Sequence, residues 1–248
     1  MSVDINPRSG LTTGTRALPQ FARILQAQSI GFMDYKALLV RLERRLDHRY
    51  MYLVSYTLAD TNGNVNTSGG TQSVVVDSAH INYDEGPNNS DRRHTLIASG
   101  SLLLPADVTV GGVFSYRSTM PFSATAGIDI NGDGNVTDYV PGTTRNVFNR
   151  GRDADMLAAV NAWRAVNNLA AINPSFSTNE FYSLDIRASK AITLSASRRV
   201  ELIAQVFNLF NRTNILAAWQ TNALSSAFGT SVSAAPMRQA EIAARFTF

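Results

Sequence analysis

The chain has 248 residues, a net charge of +3 and an isoelectric point of about 9.4, and 44% of its residues are hydrophobic. It has no cysteine, which excludes disulfide bonds, redox pairs and thiolate metal sites. The arginines are dispersed, with no basic run interleaved with aromatics, so we expect no nucleic-acid partner.

No run of 18 apolar residues is present, so no transmembrane helix is predicted. The first residues have no apolar segment of the kind found in a signal peptide. The mean hydropathy of -0.08 is ordinary for a soluble protein. It is equally compatible with a transmembrane β-barrel, because barrel strands are only about half apolar.

A first hairpin is predicted between residues 35 and 59, with a short turn at Asp47-His48-Arg49. One parity of its two strands is apolar, interrupted at the ends by Lys36 and Arg44: Leu38, Val40, Leu42, Leu46, Tyr50, Tyr52, Val54, Tyr56 and Leu58. A period of two is typical of a strand with one apolar and one polar face. The three tyrosines on the apolar face suit a membrane interface.

Residues from about 60 to 90 are rich in Asn, Gly and Ser and are predicted to form a long polar loop. A second hairpin follows, with a turn at Pro105-Ala106-Asp107. Its apolar parity is: Leu96, Ala98, Gly100, Leu102, Leu104, Val108, Val110, Gly112, Phe114 and Tyr116.

A second long loop, about 119–180, contains a predicted helix from Ala154 to Ala171. Asp153 and Asp155 favour its N-terminus, since carboxylates are stabilised there by the helix dipole. One stripe is predicted to pack: Met156, Val160, Trp163 and Val166. Packing on the rim of a barrel is the simpler interpretation, and a ligand-contacting lid that uses Trp163 is the alternative.

The third hairpin covers residues 181–210, with a turn near Ala196-Ser197-Arg198, and a third loop, 211–236, leads to the terminal strand. In that strand Ala240, Ile242, Ala244, Phe246 and Phe248 share the apolar parity. The opposite parity of these strands predicts a lumen-facing polar set: Asp185, Arg187, Glu201, Gln205, Glu241 and Arg245. A mutually paired polar wall explains such a set without a substrate-specific role.

The sequence therefore predicts an all-β fold, the C-terminal part of a transmembrane β-barrel with about seven antiparallel strands, long extracellular loops and one loop helix. Short turns alternate with long loops, which is the asymmetry of outer-membrane barrels. A soluble β-sandwich is the alternative fold. Residues 1–34 are expected to be the remnant of an extracellular loop and residues 35–248 a partial barrel, because seven strands are too few to close in lipid.

The acidic segment from Asp129 to Asp138 is a candidate Ca²⁺ site. Its oxygen ligands are predicted at: Asp129, Asn131, Asp133, Asn135 and Asp138. The spacing, with Gly134 at the sixth position, resembles a calcium loop, but Val140 stands where the bidentate acid is required. A surface Asx turn without an ion is the alternative. No set of residues has catalytic spacing, and the three histidines are scattered, so no enzyme activity is expected.

Several motifs occur in the order found in one family of outer-membrane proteins. They are: Tyr35-Lys-Ala-Leu, Ser55-Tyr-Thr-Leu, Asp91-Arg-Arg-His-Thr, Leu104-Pro, Gly127-Ile-Asp-Ile-Asn-Gly-Asp-Gly134, Leu184-Asp-Ile-Arg-Ala-Ser-Lys190, Val206-Phe-Asn-Leu-Phe-Asn-Arg-Thr-Asn214 and the strand ending on Phe248. Residues 35–248 thereby resemble the C-terminal barrel of TonB-dependent outer-membrane receptors, in the Oar-like group with a carboxypeptidase-regulatory-like domain.

This resemblance implies a 22-stranded barrel with an N-terminal plug, located in the outer membrane of a Gram-negative cell and energised by TonB. The implied partners are the lipid bilayer, the remaining barrel and plug, the TonB complex and the barrel-assembly machinery, which would recognise Phe246 and Phe248. The implied function is active uptake of chelated iron, a glycan or a peptide. The alternative is a structural or adhesive surface protein with a Ca²⁺-binding loop.

Overall fold

The computed structural model describes residues 1–8, 14–65, 75–174, 180–216 and 218–248. The strands in these ranges are: β1 (Ser2–Asp4), β2 (Leu25–Ala27), β3 (Met33–Asp47), β4 (Tyr50–Gly63), β5 (Gly86–Pro87), β6 (His94–Leu104), β7 (Val108–Arg117), β8 (Phe181–Ser195), β9 (Arg198–Phe207) and β10 (Gln239–Thr247). A 3-10 helix covers Ile81–Asp84 and the α-helix α1 covers Asp153–Val166. None of the described helices is long and apolar enough to cross a membrane.

Seven long strands form one antiparallel meander in the order β3, β4, β6, β7, β8, β9, β10. Each strand pairs with its neighbours in this order. The short strand β5 pairs with the end of β4, and β1 pairs with β2 in a separate small sheet. The predicted all-β class and the predicted count of about seven strands are confirmed.

Short turns join the strands of the three hairpins at one end of the sheet. Positive φ angles occur at His48 (49°) and Arg49 (77°), and again at Ala106 (62°) and Asp107 (55°). Two successive residues with positive φ match the twist of the flanking strands, which is why such turns close hairpins tightly. The third hairpin turns between Ser195 and Arg198. The predicted turn positions are confirmed.

The observed bounds of one strand and one helix differ from the predicted ones by a few residues. Strand β4 continues to Gly63, so the first long loop begins after residue 63 and not at residue 60. The polar residues 60–63 pair with the start of β3, and the Thr61 amide donates to Asp91 Oδ1 at 2.9 Å. Long-range pairing of this kind overrides a loop-forming composition.

The helix α1 ends at Val166 and not at residue 171, because the chain reverses at Asn168 with a φ of 57°. Asn tolerates this left-handed conformation at a helix C-terminus. Val166 is also 75% exposed, so its predicted place on the packed stripe is wrong. Ten positions after Met156 the helix has turned by roughly 280°, which moves Val166 off that face.

The register of the meander aligns apolar residues on one face of the sheet. One row across five strands is: Leu42, Val54, Ala98, Phe114 and Leu184. A second row across six strands is: Tyr50, Leu102, Val110, Ala188, Ala204 and Ile242. Ile242 is 91% exposed, and no described element covers this face. We call it the apolar face, and the opposite side of the sheet the polar face.

The buried core of the molecule lies in its loops and not against the sheet. The central cluster is: Phe122, Ala124, Val140, Phe148, Val160, Ala223 and Phe228. These residues come from the loop between β7 and β8 and from the loop between β9 and β10. We call the described parts of residues 1–32, 64–93, 118–180 and 208–238 the loop domain. It stands at the end of the sheet opposite the short turns.

Candidate functional site

Buried polar contacts join the separate loops of the loop domain. Arg150, from the loop after β7, forms a 2.6 Å ion pair with Asp91, from the loop after β4, and both side chains are largely buried. Burial lowers the pKa of Arg150, and the nearby Asp91 carboxylate opposes that shift. Arg164 on α1 donates to Ala223 O at 2.7 Å. The loops therefore form one packed unit.

Helix α1 serves this packing. Val160 is fully buried in the core cluster, and Trp163 packs against the cluster. The Trp163 indole nitrogen donates to Ala126 O at 3.1 Å. These contacts disfavour a lid, which would leave Trp163 without a fixed partner. The helix packs on the core of the loop domain, whereas the sequence predicted packing on the rim of the barrel.

At Gly127 the second long loop lies close to Asn222 of the third long loop. Its φ is 76°, and a Cβ atom at this position would lie 2.3 Å from the Asn222 side chain. Only glycine satisfies both the left-handed backbone and the close contact. The start of the Gly127–Gly134 motif therefore has a structural role that its sequence pattern did not indicate.

The five predicted calcium ligands lie together in one tight turn. Asp129 accepts hydrogen bonds from the amides of Gly132, Asp133 and Gly134 at 2.6, 3.1 and 2.9 Å. Asp138 accepts from the Ile130 amide at 2.7 Å. The backbone thus uses the same carboxylate oxygens that would bind a hard cation.

A guanidinium already lies beside this acidic turn. Arg23 Nη1 is 3.3 Å from Asp133 Oδ2. Burial, followed by the neighbouring Asp133 and Asp129 charges, raises the pKa of Asp138. Among the described residues no group of three or more His, Asp or Glu side chains has the arrangement of a metal site. Calcium binding therefore stays a prediction.

The register places the six predicted lumen-facing residues on the polar face. They are: Asp185, Arg187, Glu201, Gln205, Glu241 and Arg245. Gln205 donates to Glu241 at 2.6 Å, and Arg187 lies 3.7 Å from Glu201. These contacts form part of the mutually paired wall that the sequence suggested.

Sequence reasoning missed the apolar residues within the polar face. Met51, Leu53 and Val113 line a groove of about 560 Å³ together with Asp185 and Arg187. The register could have revealed them, because Leu53 and Val113 lie in the same cross-strand row as Asp185. The groove therefore offers both apolar and charged contacts to whatever faces this side of the sheet.

The predicted assembly signal, Phe246 and Phe248, lies at the short-turn end of the sheet, opposite the loop domain. Phe246 pairs with Val200 on the apolar face and Phe248 follows the last residue of β10. Their ring centroids are 6.0 Å apart, and the side chains are 55% and 91% exposed. Recognition by assembly machinery stays a prediction.

A second pocket lies within the loop domain and was not anticipated from the sequence. It has a volume of about 400 Å³ and draws residues from all three long loops. Its walls are: Asn64, Val76, Asp84, Asn89, Pro121, Phe122, Ser123, Thr125, Thr137, Tyr139, Arg145, Asn146, Trp219 and Thr221. No local sequence signal links these positions, because loop packing alone brings them together.

Asp84 is, with Arg145, one of two buried charged residues that line this pocket. It accepts hydrogen bonds from the Tyr139 hydroxyl at 3.0 Å and from the Val76 amide at 2.9 Å. Burial raises the pKa of Asp84 and also that of Tyr139. Arg145 donates to the Asp84 carbonyl oxygen at 3.1 Å. The two charged residues are therefore engaged in holding the loops together.

An antiparallel meander with an uncovered apolar face, short turns at one end and a loop domain at the other defines a transmembrane β-barrel protein. The family described as "Outer membrane beta barrel domain" has a model that matches residues 3–241. The chain belongs to this family and resides in the outer membrane of Gram-negative bacteria. No curated protein and no solved structure matches it.

Proposed function

We propose that this chain is part of a TonB-dependent outer-membrane receptor that imports a substrate. The proposal combines the ordered family motifs with one structural observation: a loop domain with its own core stands at the end of the polar face. A loop domain in that position can bind a substrate at the cell surface beside the wall of a barrel interior.

The two sheet edges support a barrel larger than seven strands. Among the described residues β3 pairs only with β4, and β10 pairs only with β9. Unpaired backbone groups in lipid cost several kcal/mol each, so both edges require partner strands. A barrel with many more strands has an interior wide enough for a substrate and a plug.

The substrate is chelated iron, a glycan or a peptide, and the partners are the remaining barrel strands, a plug and the TonB complex. The groove beside Asp185 and Arg187 is where a plug would contact the polar face. Its mixed apolar and charged lining suits a second protein surface, since non-obligate interfaces have this mixed composition.

Uptake by living cells tests the proposal. Cells that carry the gene are expected to accumulate a labelled substrate, and accumulation stops when the gene or the TonB gene is deleted or the proton gradient is collapsed. Re-expression of the gene should restore uptake. Accumulation that is independent of TonB would overturn the proposal.

A structural or adhesive role is the second candidate, and the acidic turn favours it. Asp129, Asp133 and Asn135 lie in the loop domain, at the end of the sheet opposite the short turns. A cation bound there would stiffen a surface that contacts another cell or polymer. Calcium-dependent cell adhesion without TonB-dependent uptake would support this role over transport.

A further inference from the structure

One lysine lies among the hydrophobic residues of the apolar face. Lys190 on β8 stands between Val108 of β7 and Leu202 of β9 in the same cross-strand row. Its neighbours along the strand on this face are Ala188 and Ile192. A charged side chain that faces lipid is costly, so its position requires a partner that compensates the charge.

The ammonium group of Lys190 has no such partner in the described part of the protein. The residue is exposed, and its side chain forms no ion pair or hydrogen bond with any described residue. Two acidic residues are close in the register, but Glu201 lies on the polar face. Asp107 lies in a short turn, where its backbone oxygen accepts from the Ala191 amide at 3.0 Å, and its carboxylate does not pair with the lysine.

Arg44 provides a comparison on the same face. Its guanidinium forms a 3.0 Å ion pair with Asp47 and lies 4.2 Å from the ring centroid of Tyr50. The charge of Arg44 is thus compensated within its own hairpin, whereas the charge of Lys190 is open to the surroundings of the sheet.

The register places Lys190 close to the lipid headgroups. Val108, its partner on β7, is the first strand residue after the short turn that contains Asp107. Turn backbone does not lie exposed in hydrocarbon, so this row is near the membrane surface. Ile192 and Leu194 continue the apolar face beyond it and are 38% and 58% exposed. A lysine at this depth extends its ammonium into the layer of lipid phosphates before it reaches bulk water.

The turn of the same hairpin adds positive charge. Arg198 and Arg199 are the first residues of β9, and the described contacts include no ion pair for either. Together with Lys190 they give the short-turn end of this hairpin three cations without a carboxylate partner. Basic residues beside a membrane are attracted to anionic lipid.

We propose that Lys190 binds the phosphate of an anionic phospholipid in the leaflet that meets the short turns. The ammonium donates hydrogen bonds to the phosphate oxygens, and the acyl chains lie along the apolar residues of the neighbouring rows. The arginines of the turn attract the same headgroup. The site faces the bilayer and not the polar face, so it is separate from the proposed uptake of a substrate.

Native mass spectrometry of the complete barrel that contains this chain provides the test. The probes are phosphatidylglycerol and, as the lipid without net charge, phosphatidylcholine. Lys190→Gln is expected to weaken phosphatidylglycerol binding about fivefold, since one cation beside an anionic lipid contributes about 1 kcal/mol. Binding of phosphatidylcholine should be unchanged, and Lys190→Arg, which keeps the charge, should bind phosphatidylglycerol as the wild type does.

Lys36→Gln is the matched control, because it removes the only other lysine of the chain. Lys36 lies at the loop-domain end of the sheet, in register with Asp60. Its replacement should leave phosphatidylglycerol binding unchanged. A second measurement uses stability, since a bound lipid stabilises the folded state. Phosphatidylglycerol in the vesicles should raise the denaturant midpoint of the wild type, and Lys190→Gln should lose most of this increase.

Equal phosphatidylglycerol affinity of the wild type and Lys190→Gln would overturn the inference, as would an equal loss in Lys36→Gln. Displacement of the lipid by an equal concentration of inorganic phosphate would show a site for free phosphate and would also overturn it. If Lys190→Gln fails to fold, Lys190→Leu provides the same comparison, because leucine suits a lipid-facing position.

Discussion

Adjacent residues of β9 have opposite environments, and this difference is testable by one pair of substitutions. Ala204 lies between Ala188 and Ile242 on the apolar face, and Gln205 lies between Arg187 and Glu241 on the polar face. We expect Ala204→Arg to reduce the unfolding free energy in lipid vesicles by about 2–4 kcal/mol, because it puts a charge into the bilayer.

Gln205→Arg is the matched control at the same depth and should cost less than about 1 kcal/mol, since it joins an existing polar network. Both values come from denaturant titration of the complete barrel that contains this chain, reconstituted in lipid vesicles. If Gln205→Arg proved the more costly substitution, the assignment of the two faces would be reversed.

The Asp138 carboxyl gives the loop domain a pH-dependent stability. Its folded-state pKa is raised by burial and by nearby acidic groups, so protonation favours the folded state. The stability from this group is fully present below its unfolded pKa of about 4 and is lost as pH rises through the folded pKa. Asp138→Asn should therefore stabilise the protein at pH 7, with the gain shrinking toward pH 4.

The measurement is the denaturant midpoint across that pH range in the presence of a chelator. Asp155→Asn removes a negative charge from an exposed position on α1 and serves as the control. If the stability gained by Asp138→Asn stayed constant with pH, the raised pKa of Asp138 would be contradicted.

Among elements, the loop domain depends on its aromatic cluster. Phe148 is fully buried between Phe122 and Phe228, with centroid distances of 4.9 and 5.4 Å. Phe148→Ala is expected to cost about 3–5 kcal/mol, because it leaves a cavity that the loops fill only in part. Hydrogen exchange should show opening of the loop domain while β6 to β9 stay protected, and the exposed Phe210→Ala should have little effect.

The acidic turn has an internal competitor for any cation. Arg23 lies beside Asp133, so Arg23→Ala should free that carboxylate and raise calcium affinity several-fold above the wild type. Asp129→Asn should abolish binding. Calorimetric titration measures both, and the absence of binding by wild type and Arg23→Ala up to about 10 mM would eliminate the site.

Elements with a local signal were predictable, and those made by distant contacts were not. The meander follows from two-residue alternation, which fixes the face of strand residues away from the register shifts at Arg44–Asp47 and Thr193–Ser195, as Ala204 and Gln205 illustrate. The core cluster joins Phe122 and Phe148 to Phe228 across two loops that contain no periodic pattern between them. The same non-local packing creates the pocket at Trp219, which explains why the sequence revealed the acidic turn but not the pocket.

On the scale of the whole molecule, the average composition does not reveal that apolar residues are concentrated in two separate regions. Many of the hydrophobic residues lie either on the lipid-facing side of the sheet or in the core of the loop domain. A mean hydropathy of -0.08 averages both with polar loops and resembles that of a soluble protein. The positions of the hydrophobic residues in the structure, and not the mean hydropathy, therefore distinguish a barrel from a soluble sandwich.

The absence of cysteine makes the orientation of the molecule directly measurable. Single cysteines can be introduced at Val136 in the loop domain, at Ser197 in a short turn and at Ile242 on the apolar face. These positions are exposed in the structure, so a soluble protein would label at all three. With a membrane-impermeant maleimide on intact cells, we expect Val136→Cys alone to react, because long barrel loops face outward.

After the outer membrane is permeabilised, Ser197→Cys should also react, since short turns face the periplasm. Ile242→Cys should stay unlabelled until detergent replaces the lipid around the apolar face. Labelling of Ser197→Cys in intact cells would invert the orientation. Labelling of Ile242→Cys before detergent is added would mean that this face meets water, which would remove the physical basis for the membrane assignment of the whole sheet.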